Sequence, residues 1–183
     1  MTEDARRPRR PVYDLPGHAH FLTFSCFHGL PLLERDQCKL TVLRVLDKTA
    51  DAHEVAVLGY VVMPDHVHVL VLPCVAKELS TFIQQWKRLT SFSIRTSLGL
   101  GTAKDTTPFG NRVRDGAGVV HVWQKRYYDF NVTTPAKAIE KLEYMHRNPV
   151  RAGLVEDPYA WEWSSAAALH EGRPSLVKLT PID

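Results

Sequence analysis

The sequence is poor in cysteine and contains no long hydrophobic run. Its three cysteines, Cys26, Cys38 and Cys74, show no CxxC spacing, and their odd number does not fit a disulfide framework. No apolar stretch approaches the roughly 20 residues that a membrane-spanning helix needs, and no apolar segment follows the N-terminal charges as in a secretory signal. We therefore expect a cytoplasmic protein without membrane contact, whose cysteines stay reduced.

A strong net charge is also missing. The 23 Lys and Arg residues exceed the 20 Asp and Glu residues by only 3. The basic residues are clustered, however, and such clusters are typical of surfaces that bind phosphate backbones. The candidates for phosphate contact are Arg7, Arg9, Lys87, Arg88, Lys125 and Arg126. A solvated tail and a solvated helix surface remain the alternative explanation for these charges.

The length and composition predict a single globular domain. The chain has 183 residues, of which 44% are hydrophobic, and this is enough to bury a core. We assign the domain to residues 17–170, between a flexible basic arm at 1–16 and a C-terminal tail at 171–183. Residues 99–118 are rich in Gly, Thr, Asp and Arg and have no hydrophobic period, which predicts a mobile loop.

Hydrophobic periodicity divides the domain into four strands and three main helices. The strands are predicted at 18–27, 55–63, 66–72 and 119–128, and the helices at 34–53, 78–98 and 135–148. Thr134 is the expected N-cap of the last helix, with Pro135 at its first position. The Asn148-Pro149 pair should end that helix, because the residue before proline disfavours the helical region. A short Ala-rich helix is a candidate beyond residue 154.

This order of elements is that of a ferredoxin-like α+β sandwich with a central antiparallel sheet and an added C-terminal helix. The almost continuously apolar segment 55–63 is expected to be a central strand covered on both faces. The strand at 66–72 can also lie centrally. The first two helices would cover one face of the sheet and leave the other face for a site.

Two histidines on the third strand suggest what that site contains. The segment VVMPDHVHVLV places His66 and His68 just after a Pro-Asp turn. Residues two apart on a strand point to the same face, so the two imidazoles project together while the intervening valines face the other way. Adjacent imidazoles make half of a metal site.

The last helix supplies the other half. At 100° per residue, Ile139, Leu142 and Met145 share one stripe, which we predict to face the core. Tyr144 stands on the opposite side, and Asn148 follows one turn later. Close to them on that side lie Lys137, Glu140 and Lys141.

These side chains suit the cleavage of a phosphodiester. A tyrosine can act as a covalent nucleophile, and a divalent metal can polarise a phosphoryl oxygen. Two imidazole nitrogens and an amide oxygen, with open positions for water and phosphate, suit Mg²⁺ or Mn²⁺, and the nitrogens favour Mn²⁺. A structural histidine pair and a solvated tyrosine remain the simpler explanations.

The combination of motifs resembles the REP-associated tyrosine transposases, within the His-hydrophobic-His single-tyrosine superfamily. The resemblance rests on MPDHVHVLV, WQKRYYDF, EYMHRNPVRAGLV and PYAWEWSS, and it spans residues 20–165. It implies that His66 and His68 bind the metal, that Tyr144 is the nucleophile and that Asn148 is a third metal ligand. It also implies cleavage of single-stranded hairpin DNA through a 5′-phosphotyrosine link, near the nucleoid. Lys137 and Lys141 join the basic residues named above as candidates for DNA contact.

Several alternatives remain open at this point. His18 and His20 form a second H-x-H pair, and Tyr127 and Tyr128 are rival nucleophiles. Trp123 is expected in the core rather than stacked on a base. The protein is either a monomer or a homodimer. A non-cleaving DNA-binding protein of the same fold and a hydrolase that activates water at the histidines are the competing functions.

Overall fold

The computed structural model describes residues 17–75, 78–101 and 108–182. Four strands are present there: β1 (Ala19–Ser25), β2 (Val55–Val62), β3 (His66–Pro73) and β4 (Tyr128–Val132). The helices are α1 (Asp36–Ala52), α2 (Glu78–Leu98), α3 (Pro135–His146), α4 (Asn148–Arg151) and α5 (Ala166–Glu171). The predicted arm at 1–16, including Arg7 and Arg9, lies outside the described residues. None of the described helices is long and apolar enough to cross a bilayer.

The four strands form one antiparallel sheet in the order β2-β3-β1-β4. This is the strand order of a ferredoxin-like sandwich, so the predicted α+β class is confirmed, and β3 occupies a central position. β1 also lies centrally, between β3 and β4. The histidine-bearing strand is therefore paired along both of its edges.

The two faces of the sheet belong to two separate hydrophobic clusters. Helices α1 and α2 pack on one face, over alternate residues of β1 and β3 such as Leu22, Val67 and Val69. Helix α3 packs on the other face, where Ala138 and Met145 meet residues such as Leu70. The predicted division of the sheet into a helix-covered face and a face with room for a site is confirmed.

The prediction for the last strand is wrong. Residues 119–127 form no ladder, although Val122 and Trp123 are buried, and β4 is the more polar segment that follows. Single bridges join Val120 to Arg114 and Trp123 to Cys26. The apolar residues of this segment are buried although its backbone is irregular. The sequence therefore has the pattern of a strand, but the segment does not pair as one. The predicted core position of Trp123 is correct.

The prediction that 55–63 is a central strand is also wrong, because β2 lies at the edge of the sheet. The C-terminal part of the chain covers its outer edge. Val62 N donates to Trp163 O at 2.8 Å, Ser165 N donates to Tyr60 O at 3.0 Å, and Thr180 N donates to Val57 O at 2.9 Å. A protected edge strand, like a central one, needs no polar residues to discourage pairing with another chain.

Helix α3 begins as predicted, since the Thr134 side chain accepts a hydrogen bond from Lys137 N at 3.2 Å. It ends at His146 rather than at residue 148, and the Asn148-Pro149 pair starts α4 instead of stopping α3. Proline is tolerated in the first turn of a helix because its missing N–H has no intrahelical partner there.

The predicted core face of α3 is partly wrong, because Ile139 is 50% exposed. Ala138, Met145 and His146 are the buried residues of the helix. Compared with the prediction, α3 is therefore rotated about its axis so that Ala138 rather than Ile139 faces the core. Gly59 on β2 explains the close packing: a Cβ there would lie 2.3 Å from Leu142 Cδ2 and 2.7 Å from Met145 Cε. The rotation brings Tyr144 from the predicted outer side of α3 to its flank beside the sheet.

Candidate metal and nucleophile site

His66 and His68 lie side by side on the α3 face of the sheet. Their ring centroids are 4.8 Å apart, and the His68 ring stacks on Phe21 of β1 at 5.3 Å. His68 is buried, whereas His66 is partly open. The sequence-predicted pairing of the two imidazoles on one face is therefore present in the fold.

Each imidazole is oriented through its Nδ1 atom. His66 Nδ1 donates to the Asp65 carboxylate at 2.7 Å, and His68 Nδ1 is 2.7 Å from Thr23 Oγ1. In the tautomers in which Nδ1 carries the proton, both Nε2 lone pairs are left for a metal, which is how ligand histidines are commonly held. The pKa of His68 is lowered to about 3, first because burial disfavours its charged form and second because of the Coulombic effect of the neighbouring His66. His68 is therefore neutral at pH 7, as a metal ligand must be.

Tyr144 of α3 stands directly beside this pair. Its ring centroid is 5.9 Å from that of His68 and 6.1 Å from that of Phe21. Tyr144 is 43% exposed, so its side chain is accessible from solvent. All of these contacts occur within one chain.

Asn148, the first residue of α4, follows Tyr144 by four residues. Its Nδ2 atom is buried and has no hydrogen-bond partner. Rotating the amide by 180° places an oxygen at that position, and a buried oxygen without a partner is suited to a cation. Among the described residues no group of three or more His, Cys, Asp or Glu side chains is placed to hold a metal. By their chemistry, the imidazole nitrogens of His66 and His68 and the Asn148 amide oxygen are the donors that would hold Mg²⁺ or Mn²⁺, with further oxygens from water and phosphate.

The rival histidine pair lies elsewhere. His20 is fully buried on the α1–α2 face of β1, and its Nδ1 donates to Asp129 at 2.9 Å. His18 Nδ1 is 3.1 Å from Asn131 Nδ2. These side chains are on the opposite face of the sheet from His68, so they are not part of the same site.

The two rival tyrosines lie on opposite faces of the sheet. Tyr127 packs on Phe24, with ring centroids 5.4 Å apart, on the α1–α2 face. Tyr128 is 46% exposed and pairs with Thr23, which in turn pairs with His68. Directly paired residues share a face, so Tyr128 lies on the site face but two strands away from the histidines. Tyr144 is the tyrosine in ring contact with His68.

The predicted basic residues that the structure describes fall into three groups. Lys137 and Lys141 lie on α3, and the Lys141 ammonium is 5.8 Å from the centroid of the Tyr144 ring. Lys87 lies on the other face, where its Nζ donates to Gln124 O at 2.8 Å and to Lys125 O at 3.3 Å. Burial lowers the pKa of Lys87. The remaining three, Arg88, Lys125 and Arg126, are exposed.

The sequence analysis missed three residues that contact the site. Phe21 and Thr23 belong to a different strand, and only the β1–β3 register shows that they touch His68. Arg151 was also missed, although it follows Tyr144 by seven residues, which is close to two helical turns and therefore the same side. Its guanidinium lies 5.0 Å from the centroid of the Tyr144 ring.

Comparisons with known proteins show the family and the fold of the chain. No curated protein is similar enough in sequence to count as a match. In fold, the chain is similar to a REP-associated tyrosine transposase solved bound to a REP hairpin, at 18% identity and a TM-score of 0.67, over 97% of this chain and 94% of that one. A Deinococcus radiodurans protein described as a candidate transposase is less similar, at 16% identity and a TM-score of 0.46, over 76% and 95% of the two chains. Residues 31–148, which include His66, His68, Tyr144 and Asn148, match the family of IS200-like transposases, and the chain belongs to that family.

Proposed function

We propose that this member of the transposase family cleaves and rejoins single-stranded DNA through a covalent link to Tyr144. The observation that supports the proposal is the contact between the half-exposed phenol and the buried His68, with 5.9 Å between their ring centroids. A tyrosine beside a pair of orienting imidazoles provides a nucleophile and a cation site at one phosphate.

His66, His68 and Asn148 would hold the divalent cation, Mg²⁺ or Mn²⁺. The cation, when bound, supplies Lewis-acid polarisation of the phosphoryl oxygen. The protein contributes orientation: Asp65 and Thr23 fix the two imidazoles.

Tyr144 performs the covalent step. Its phenol releases a proton to solvent, which its exposure permits, and the phenolate oxygen forms a bond to phosphorus. The bond from phosphorus to the 3′ oxygen breaks, and that oxygen keeps the electron pair and takes a proton from solvent. The products are a 5′-phosphotyrosine and a free 3′-hydroxyl. Because the link retains the energy of the phosphodiester, attack by a 3′-hydroxyl rejoins DNA without an external energy source.

The proposed substrate is single-stranded DNA folded into a hairpin. The similarity in fold to a transposase that was solved with a REP hairpin and the basic residues Lys141, Lys125 and Arg126 support this choice. The contact between Tyr144 and His68 forms within a single chain, which favours cleavage by a monomer over cleavage by a homodimer.

The test is covalent trapping on a denaturing gel. Labelled single-stranded hairpin DNA from the protein's own genomic neighbourhood is incubated with the protein, with and without Mg²⁺ or Mn²⁺. We expect a metal-dependent adduct that resists SDS and is abolished by Tyr144→Phe. Tyr128→Phe removes a phenol from the same face and should leave the adduct intact.

The other outcomes separate the competing functions. Cleavage without an adduct would favour the hydrolase that activates water. Tight binding with neither cleavage nor adduct would favour the non-cleaving DNA-binding protein. An adduct that survives Tyr144→Phe but not Tyr128→Phe would transfer the nucleophile to Tyr128.

A further inference from the structure

Two cationic side chains face the ring of Tyr144. Lys141 Nζ lies 5.8 Å from the ring centroid, and the Arg151 guanidinium lies 5.0 Å from it. Neither cation has a carboxylate within ion-pair distance among the described residues. Lys137, on the same side of α3, is different, because its Nζ contacts Glu140 Oε2 at 2.6 Å. The ring of Tyr144 therefore faces two cations that have no ion-pair partner among the described residues.

The two cations have different surroundings. The Lys141 ammonium is also 4.5 Å from the Phe130 centroid and 5.4 Å from that of Phe21, so three aromatic rings already stabilise its charge. Arg151 contacts only the Tyr144 ring among the described aromatics, and it is exposed at the end of α4. A guanidinium that rests against a ring keeps its edge N–H donors free.

We propose that Arg151 binds the phosphate that Tyr144 attacks. This inference rests on the proposed function and adds a catalytic residue to it. The guanidinium donates two hydrogen bonds to the non-bridging oxygens of the phosphodiester, which is the bidentate geometry that arginine favours. Its contact with the phenol ring fixes the position of these donors relative to the nucleophile.

The bond changes at phosphorus explain why this contact accelerates the reaction. As the Tyr144 oxygen forms its bond to phosphorus and the bond to the 3′ oxygen breaks, negative charge accumulates on the oxygens that Arg151 holds. The hydrogen bonds from Arg151 therefore strengthen in the transition state, and no proton leaves the guanidinium. Loss of one preorganised donor to such an oxyanion typically slows a reaction about 10²–10³-fold.

The test compares rates of adduct formation at saturating DNA, so that differences in binding do not contribute. Arg151→Gln should slow adduct formation about 100-fold. Arg151→Lys keeps the positive charge but lacks the paired N–H donors of a guanidinium, so it should recover part of the rate. The matched control is Arg147→Gln, an exposed arginine for which no contact with the Tyr144 ring is observed, and it should stay within about twofold of the wild type. Thermal unfolding of each variant separates a rate effect from loss of the fold.

A second measurement does not need cleavage. The affinity for single-stranded DNA is measured against salt concentration in the Tyr144→Phe background without metal. Arg151→Gln should lower the slope of log K against log salt by about 0.7, the value of one phosphate contact. Arg44→Gln, on α1 and on the other side of the sheet, should leave the slope unchanged.

The two measurements separate the possible failures. If the wild type forms the adduct and Arg151→Gln forms it equally fast, the role of Arg151 is refuted and the tyrosine mechanism stands. If the wild type forms no adduct, the proposed function fails. An unchanged salt slope would then refute phosphate binding by Arg151 as well, and a reduced slope would support it.

Discussion

The two faces of one sheet have opposite chemistry, although the same strands supply both. On the α1–α2 face, β3 presents Val67, Val69 and Val71, all fully buried in the larger hydrophobic cluster. On the α3 face, the alternate positions of the same strand present His66 and His68. Two helices seal the first face, whereas one helix covers the second and leaves Tyr144 half exposed.

This difference separates stability from chemistry within a single strand. The valine side of β3 anchors the strand, so the histidine side tolerates two imidazoles whose Nε2 atoms make no hydrogen bond among the described residues. Substitutions on the two faces should therefore have separable effects.

The largest effect is expected from His68→Ala on the site face. Loss of a residue that only orients a metal ligand already weakens binding about 10–100-fold, so removal of the buried imidazole should weaken Mn²⁺ binding by more than about 100-fold and abolish the DNA adduct. Calorimetric titration with Mn²⁺ measures the first effect, and the trapping gel measures the second. His121→Ala removes a partly exposed histidine bonded to Asp115 and should change neither.

Retention of Mn²⁺ affinity in His68→Ala would exclude this imidazole as a ligand. If His68→Ala still formed the DNA adduct with the metal dependence of the wild type, His68 would be excluded from a role in catalysis.

Leu46→Ala is the corresponding change on the other face. Leu46 of α1 is fully buried in the larger cluster, and truncation of such a residue costs about 2–5 kcal/mol. The free energy of unfolding, measured in urea, should fall by that amount. The rate of adduct formation at saturating DNA should remain close to that of the wild type at temperatures at which the variant is folded. A matching loss of rate would mean that the two faces are not separable.

Gly59→Ala should affect both properties, because side chains of α3 pack directly against Gly59 of β2. The new Cβ would overlap Leu142 and Met145 and force α3, with Tyr144, away from the sheet. Overpacking of this kind costs about 1–3 kcal/mol, and the nucleophile should also lose its position relative to His68. Gly116→Ala is the matched control, since a Cβ there meets nothing within 4 Å. Equal unfolding free energies for the two variants would contradict this account of the contact.

The sequence predicted most of the fold because most elements follow local rules. Helices α1 and α2 carry clear helical periodicity, and the alternation of Val and His on β3 correctly indicated its two faces. The failures depend on tertiary structure. Residues 119–127 have the composition of a strand but meet no partner over their length, and β2 is apolar at an edge because the chain from Trp163 to Thr180 returns to cover it.

The candidate site was predictable where a single element carries it. The H-x-H spacing follows from the strand period and placed both imidazoles on one face of β3. Tyr144 and Asn148 were expected on one helix, whereas the structure places them on α3 and α4. Thr23 and Phe21 were not predictable, because their contacts with His68 require the β1–β3 register. The exposure of Ile139 required the rotation of α3, which Gly59 permits and no local period encodes.

The smallest predicted effect depends on pH, and it concerns the contact between α1 and α2, the two helices that cover the valine face of the sheet. His53, which caps α1, lies between Glu78 and Gln85 of α2, with its Nδ1 at 3.0 Å from Glu78 Oε2 and its Nε2 at 2.8 Å from Gln85 Oε1. With the Glu78 carboxylate and Gln85 Oε1 facing the ring as acceptors, the imidazolium, with two N–H donors, satisfies both partners. The hydrogen bonds to Glu78 and then Gln85 raise the pKa of His53 above 6.5.

A raised pKa in the folded state fixes the direction of the effect. The stabilisation from His53 is complete below the unfolded pKa of about 6.5 and disappears as the pH rises through the higher folded value. Wild type should therefore exceed His53→Ala in unfolding free energy by more at pH 5.5 than at pH 8.5, with an excess below about 1 kcal/mol because the pair is partly exposed. Urea titrations at the two pH values measure this excess, and it should shrink in the Glu78→Gln background. A difference that is independent of pH would mean that His53 stabilises the α1–α2 contact by packing and not by its charge.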